Sequence, residues 1–164
     1  MPSFFRALCI ELNNTLTPAL ASAGYHAPGI PFDRGNLRYE FKRESEAGRE
    51  TIAILFNRRR GPEFSVQLFI EPPVGLAELE RRGGVLVIGT LSPRPALWPL
   101  PVRAFGAGSS LLARLRGKTA AAPDAVVASF LALLPEVEAW WRQPQSSRHI
   151  IAGITRYPGR QSSA

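Results

Sequence analysis

Residues 49–71, RETIAILFNRRRGPEFSVQLFIE, constrain the fold more than any other part of the chain. Ile52, Ile54 and Phe56 share one side of an extended run, and Phe64, Val66, Leu68 and Ile70 share one side of the next. A period of two over that length is what a half-buried strand requires. Between the runs stands Asn57-Arg58-Arg59-Arg60-Gly61-Pro62, whose Gly and Pro turn the chain. The sequence therefore predicts a hairpin with three arginines at its tip.

The flanking sequence extends this sheet. Leu37, Tyr39 and Phe41 alternate with Arg38, Glu40 and Lys42, which predicts a strand over residues 36–43 with one wet and one dry face. Pro72-Pro73 ends the third strand because proline removes a ladder donor. Leu76–Arg82 suits a short helix, and GVLVIGT over residues 84–90 has the β-branched character of a fourth strand. Pro93, Pro95, Pro99 and Pro101 argue against a regular element over residues 92–105, where Trp98 and Phe105 would act as anchors.

Helical spacing governs the two ends. Phe5, Leu8, Leu12, Leu16 and Leu20 form one stripe over residues 3–23, with Pro18 bending the last turn and Gly24 stopping it. Residues 109–116 suit a short helix. Residues 123–141 suit a long one, opened by Pro123 and Asp124 and divided at Pro135, with a stripe of Val126, Phe130, Leu133, Val137 and Trp140. The expected fold is α+β: an antiparallel sheet of about four strands, in the order α-β-β-β-β-α-α, with helices packed on one face. Residues 1–145 form one domain without a second core, and residues 146–164 form a tail that is either flexible or an added edge strand.

A chain of 164 residues buries roughly 70% of its unfolded surface and needs no metal or disulfide to fold. Cys9 is its only cysteine, placed on the apolar helical face, and with His26 and His149 as the only histidines no zinc site is expected. No cofactor is implied. Glu11, Asn13 and Asn14 interrupt what would be the core of a signal peptide, and no apolar run approaches the roughly 20 residues that cross a bilayer. A cytoplasmic protein is the expectation.

The net charge of +7 is unevenly placed: residues 1–80 carry 9 Lys/Arg against 10 Asp/Glu, and residues 81–164 carry 11 against 3. That asymmetry suits a polyanion, an anionic surface or an acidic protein, and it also matches the Arg-, Ala-, Gly- and Pro-rich usage of a GC-rich genome. Gly117-Lys118-Thr119 ends as a phosphate loop would, but Leu112 stands where the required earlier glycine belongs. Gly106-Ala107-Gly108-Ser109-Ser110 reads as a helix cap or as an anion-binding turn, with Arg114, Arg116 and Lys118 following. Neither histidine has an acid beside it in sequence, and no nucleophile elbow is present. Glu40, Glu44, Glu46 and Glu50 interleave with cations as on a solvated strand face. In Trp140-Trp141, one ring reads as core and the other as a cap or a stacking surface.

Gly24-Tyr25, Tyr39-Glu-Phe41, Leu55-Phe56-Asn57-Arg58-Arg59-Arg60 and Phe64-Ser-Val66-Gln-Leu68 together resemble a bacterial family of small α+β domains of unknown function. The resemblance covers residues 4–75 well and 120–141 loosely. Some such domains are suspected as immunity or toxin-neighbourhood proteins, and the resemblance extends that setting to this chain as one reading. The expected function is non-enzymatic recognition of an acidic protein through Arg58, Arg59, Arg60, Arg114, Arg116 and Lys118. The alternative is nucleic-acid binding, in which the same side chains neutralise phosphates.

Overall fold

The computed structural model describes residues 3–33, 35–56, 63–93, 105–106 and 121–157. Helix α1 (Phe4–Glu11) runs into a π-helical turn, Leu12–Leu16, and then into α2 (Thr17–Ser22). Pro18 accounts for the wide turn. It has no N–H to donate, and its ring would crowd the carbonyl four residues back, so the backbone widens ahead of it. Leu8, Leu12, Leu16 and Leu20 are fully buried along the predicted stripe. Gly24, at φ +87°, closes the helix as predicted: Tyr25 N–H reaches Leu20 O (3.0 Å) and Gly24 N–H reaches Ala21 O (3.0 Å).

Strands β1 (Arg38–Ser45), β2 (Gly48–Phe56) and β3 (Glu63–Glu71) form an antiparallel meander. Tyr39 lies opposite Ile54, and Phe56 lies opposite Phe64. After α3 (Leu76–Arg82), β4 (Val85–Leu91) returns beside β3. The two-residue β5 (Phe105–Gly106) pairs with β3 at Glu63 and Phe64. Helices α4 (Pro123–Leu131) and α5 (Leu134–Arg142) follow, broken ahead of Pro135 as predicted, and β6 (Ile150–Arg156) closes the sheet along β4. The sheet order is β1-β2-β3-β4-β6, with β5 off that path.

The α+β class and the antiparallel sheet match the expectation, but the sheet has six strands rather than four. The element order differs as well, since α3 stands between β3 and β4 and a strand follows the last helices. Two-residue β5 is too short to show a period. Strand β6 is the added edge strand that residues 146–164 allow, one of the two readings of that tail.

The main core lies between one sheet face and α1, α2, α4 and α5, where Phe41, Ile52, Ile54, Phe64, Val66 and Leu68 meet Val127, Phe130 and Val137. Trp140 and Trp141 are both buried here, so neither is a surface stacking ring. Phe105 stacks on Phe64 at 5.3 Å and is the anchor expected of it, while Trp98 lies outside the described residues. The opposite sheet face carries a smaller cluster, Ala53, Phe69 and Leu86, covered by Leu76 and Leu79 of α3. Helices therefore pack on both faces, and a second, minor core exists. Leu76 and Leu79 sit three residues apart on one helical face, which draws α3 to the side the long helices leave open.

Candidate functional site

All six predicted site residues, Arg58, Arg59, Arg60, Arg114, Arg116 and Lys118, lie outside the described residues, as do the 109–116 helix and the Gly117-Lys118-Thr119 string. The described residues hold all thirteen acids of the chain and ten of its twenty cations. Most of those ten are matched internally. Arg81 and Arg82 both donate to Glu78, whose pKa falls to about 2 as the Arg81 and Arg82 hydrogen bonds hold the carboxylate charged. Arg49 meets Glu44 at 2.6 Å. The whole positive excess thus belongs to segments that carry no acid at all.

A concavity among the described residues lies along the outer edge of β1. His26 lies against that edge: its N–H donates to Lys42 O (2.8 Å) and its carbonyl accepts from Lys42 N–H (3.2 Å). Beyond His26 the chain turns away through Ala27 and Pro28, because proline cannot continue the ladder. The gap is a groove of about 420 Å³ lined by His26, Ala27, Pro28, Arg38, Glu40 and Lys42. Backbone direction alternates along a strand. Lys42 faces His26, and Leu37 O instead accepts from Phe56 on β2 (2.9 Å). The N–H and C=O groups of Arg38 and Glu40 consequently face the groove. Their side chains and that of Lys42 form a charged row, with Glu40 bonded to Arg38 (2.6 Å) and Lys42 (2.8 Å).

Both ends of the groove wall are fixed. At one end, Arg43 donates to Glu50 Oε2 (2.6 and 2.8 Å), Glu138 Oε2 (2.7 Å) and the Ala23 carbonyl (2.8 Å), and its guanidinium lies 4.4 Å above the Tyr25 ring. Trp141 Nε1 donates to the Tyr25 hydroxyl at 2.6 Å, and that hydroxyl donates to Glu138. Burial, joined by the Glu138 charge, pushes the Tyr25 phenol well above its ordinary value. At the other end, Asn13 on the π-helical turn grips the Phe32 backbone, accepting from its N–H (2.9 Å) and donating to its carbonyl (3.2 Å). Phe32 also packs on Tyr39 at 4.2 Å. Glu50 is buried here and not on the solvated face expected of it, because its register partner Arg43 points toward the helices.

A second polar cluster closes the loop between α5 and β6. Glu136 accepts from His149 N–H (2.8 Å), from the Ser147 hydroxyl, and lies 2.7 Å from His149 Nδ1. His149 thus does have an acid beside it, thirteen residues away in sequence. The serine hydroxyl goes to the carboxylate and not to the imidazole, so the three do not form a nucleophile relay. Burial raises the Glu136 carboxyl, but the Ser147 and His149 bonds outweigh it and hold the pKa below 4.5. Burial likewise raises Glu40, and Lys42 and Arg38 bring it below 4.5. A carboxyl depressed in the folded chain stabilises it above the unfolded pKa, and that contribution fades as pH falls through the folded value. Urea unfolding should give near-constant stability from about pH 7 to 5 and a decline below about 4.5. Glu136→Gln should make that acid limb shallower, and an unchanged limb would contradict the pairing.

Among the described residues no group of three His, Cys, Asp or Glu is placed to hold a metal ion, and no helix is long and apolar enough to cross a membrane. Comparison with protein-family models, with curated proteins and with solved structures finds no match. The strings that carry the sequence resemblance fall mostly in the main core, with Tyr25, Tyr39, Phe41, Phe56, Phe64, Val66 and Leu68 all buried.

Proposed function

We propose that the chain is a non-enzymatic recognition module for an acidic protein. The observation that carries this reading is the β1 groove, which offers both signs of charge together with backbone donors and acceptors. A peptide matches that mixture better than a phosphate backbone does. Arg58, Arg59, Arg60, Arg114, Arg116 and Lys118 add the positive field that steers such a partner. Arg38, at one end of the groove, pairs with Leu55, three residues ahead of Arg58 in the chain. In an immunity-type setting this charge calls for an acidic toxin and argues against a basic nuclease.

One observation favours the alternative, nucleic-acid binding: the ten remaining cations occupy segments without a single carboxylate. Fluorescence anisotropy separates the two, using an eight-residue peptide of alternating Glu and Val, single-stranded RNA and duplex DNA. The peptide should stay bound at about 150 mM salt while both nucleic acids are released. Replacing Arg58, Arg59 and Arg60 together by Ala should weaken the peptide. RNA or DNA that binds more tightly at that salt, with a log–log slope falling by about one per arginine removed, would overturn the reading.

A further inference from the structure

We infer that the partner docks by adding an extended strand to the outer edge of β1, pairing with the backbone of Glu40 and Arg38. The inference rests on the acidic-partner reading and specifies its mode. His26 already makes the first rung of an outer ladder at Lys42, and among the described residues none pairs with the next two outward-facing positions, Glu40 and Arg38. At about 3.3 Å per residue, the stretch from Glu40 to Arg38 accepts a strand segment of two to three residues.

The occupant is an acidic segment. Arg38 and Lys42 flank the single carboxylate of Glu40, so the row is short of negative charge. In an added strand, alternate side chains fall on the same face as this row, where a glutamate opposite Arg38 meets the guanidinium. The groove is also built before the ligand arrives. Asn13 holds Phe32 and the Arg43 corner holds Tyr25, so the wall pays little ordering entropy on binding. The other sheet edge, β6, is a weaker candidate, because Ser147 N–H already donates to Ile150 O and the Ser146 hydroxyl accepts from Ala152 N–H.

Backbone N-methylation tests the mode without altering charge. The eight-residue Glu-Val peptide should bind, and its counterpart methylated on alternate amides should bind at least about tenfold more weakly, the effect of losing one to three net hydrogen bonds. In residue-resolved amide exchange, Glu40 N–H should slow about tenfold at a peptide concentration ten times its Kd. Glu40→Pro removes the groove-facing N–H while leaving the β1–β2 ladder intact, so peptide binding should fall. Attraction by charge alone predicts the opposite, because losing Glu40 frees two cations. Should Glu40→Pro fail to fold, the methylated peptide decides the matter on the unaltered protein. Equal affinity of the two peptides would overturn strand addition and leave the acidic-partner reading standing. Protection on β6 in place of Glu40 would overturn the location. Binding of neither peptide would overturn the mode, and the salt series with RNA and DNA then judges the broader reading.

Discussion

Replacing Arg43 by methionine should lower the stability of the folded chain by about 3 kcal/mol and its Tm by roughly 6–12 °C. One guanidinium satisfies two carboxylates and a helix-end carbonyl and covers the Tyr25 ring. Methionine keeps the stem and removes every one of those bonds. Glu138 is more than a third exposed and regains water, whereas Glu50 is 9% exposed and becomes a buried charge without a partner. Breaking a buried pair from one side costs about 3–5 kcal/mol, and the partial exposure of Arg43 places this case at the low end. Most of the loss comes from stranding Glu50, so adding Glu50→Gln to the Arg43→Met protein should restore at least about 1 kcal/mol. Chemical denaturation of the two variants measures both numbers. A loss below about 1 kcal/mol for Arg43→Met would mean that the corner behaves as an ordinary solvated ion pair.

That corner also shows what a sequence can and cannot reveal. Arg43 and Glu50 are legible as partners, because the β1–β2 register sets them opposite each other. Tyr25, Glu138 and Trp141 are not, since Tyr25 lies more than 110 residues from the other two and no local period links it to them. The alternation in Tyr39-Glu-Phe41 and in Ile52, Ile54 and Phe56 reports directly on which face is buried, so the meander could be read from it. Ala53 and Phe69 gave no such signal, because their burial depends on where α3 lands. Asn13 was visible only as a polar interruption of an apolar run, and His26 only as one of two histidines without an acid beside it in sequence. Their roles arise from a widened helical turn and from a single backbone rung on a strand edge. Charge counting gives the basic excess a place along the chain, but charge alone does not pick a surface. The groove was found through backbone direction, and backbone direction follows from register.

The largest single-residue effect should come from Gly48→Ala, at about 3–5 kcal/mol and a fall in Tm of roughly 10 °C or more. Gly48 leads out of the two-residue turn Glu46-Ala47 with φ at +131°, a conformation that L side chains rarely adopt. A Cβ placed there would stand 2.2 Å from the Glu71 carbonyl oxygen and 3.3 Å from Pro72 Cα. Both obstacles are backbone, so no side-chain rotation relieves them. The chain must either shift φ, which disturbs Ser45 and its bond to the Gly48 carbonyl (3.0 Å), or part β2 from β3 where Arg49 faces Glu71. Gly24→Ala is the matched control. It too has positive φ, but its Cβ would meet only the flexible Arg43 Cδ at 3.4 Å, so the expected cost is the conformational part alone, about 1–2 kcal/mol. Thermal and urea unfolding of the two variants separate strain from collision. If Gly48→Ala proved no worse than Gly24→Ala, the close approach of Glu71 to the start of β2 would not exist in solution, and the register that turns Glu40 toward the groove would lose its anchor.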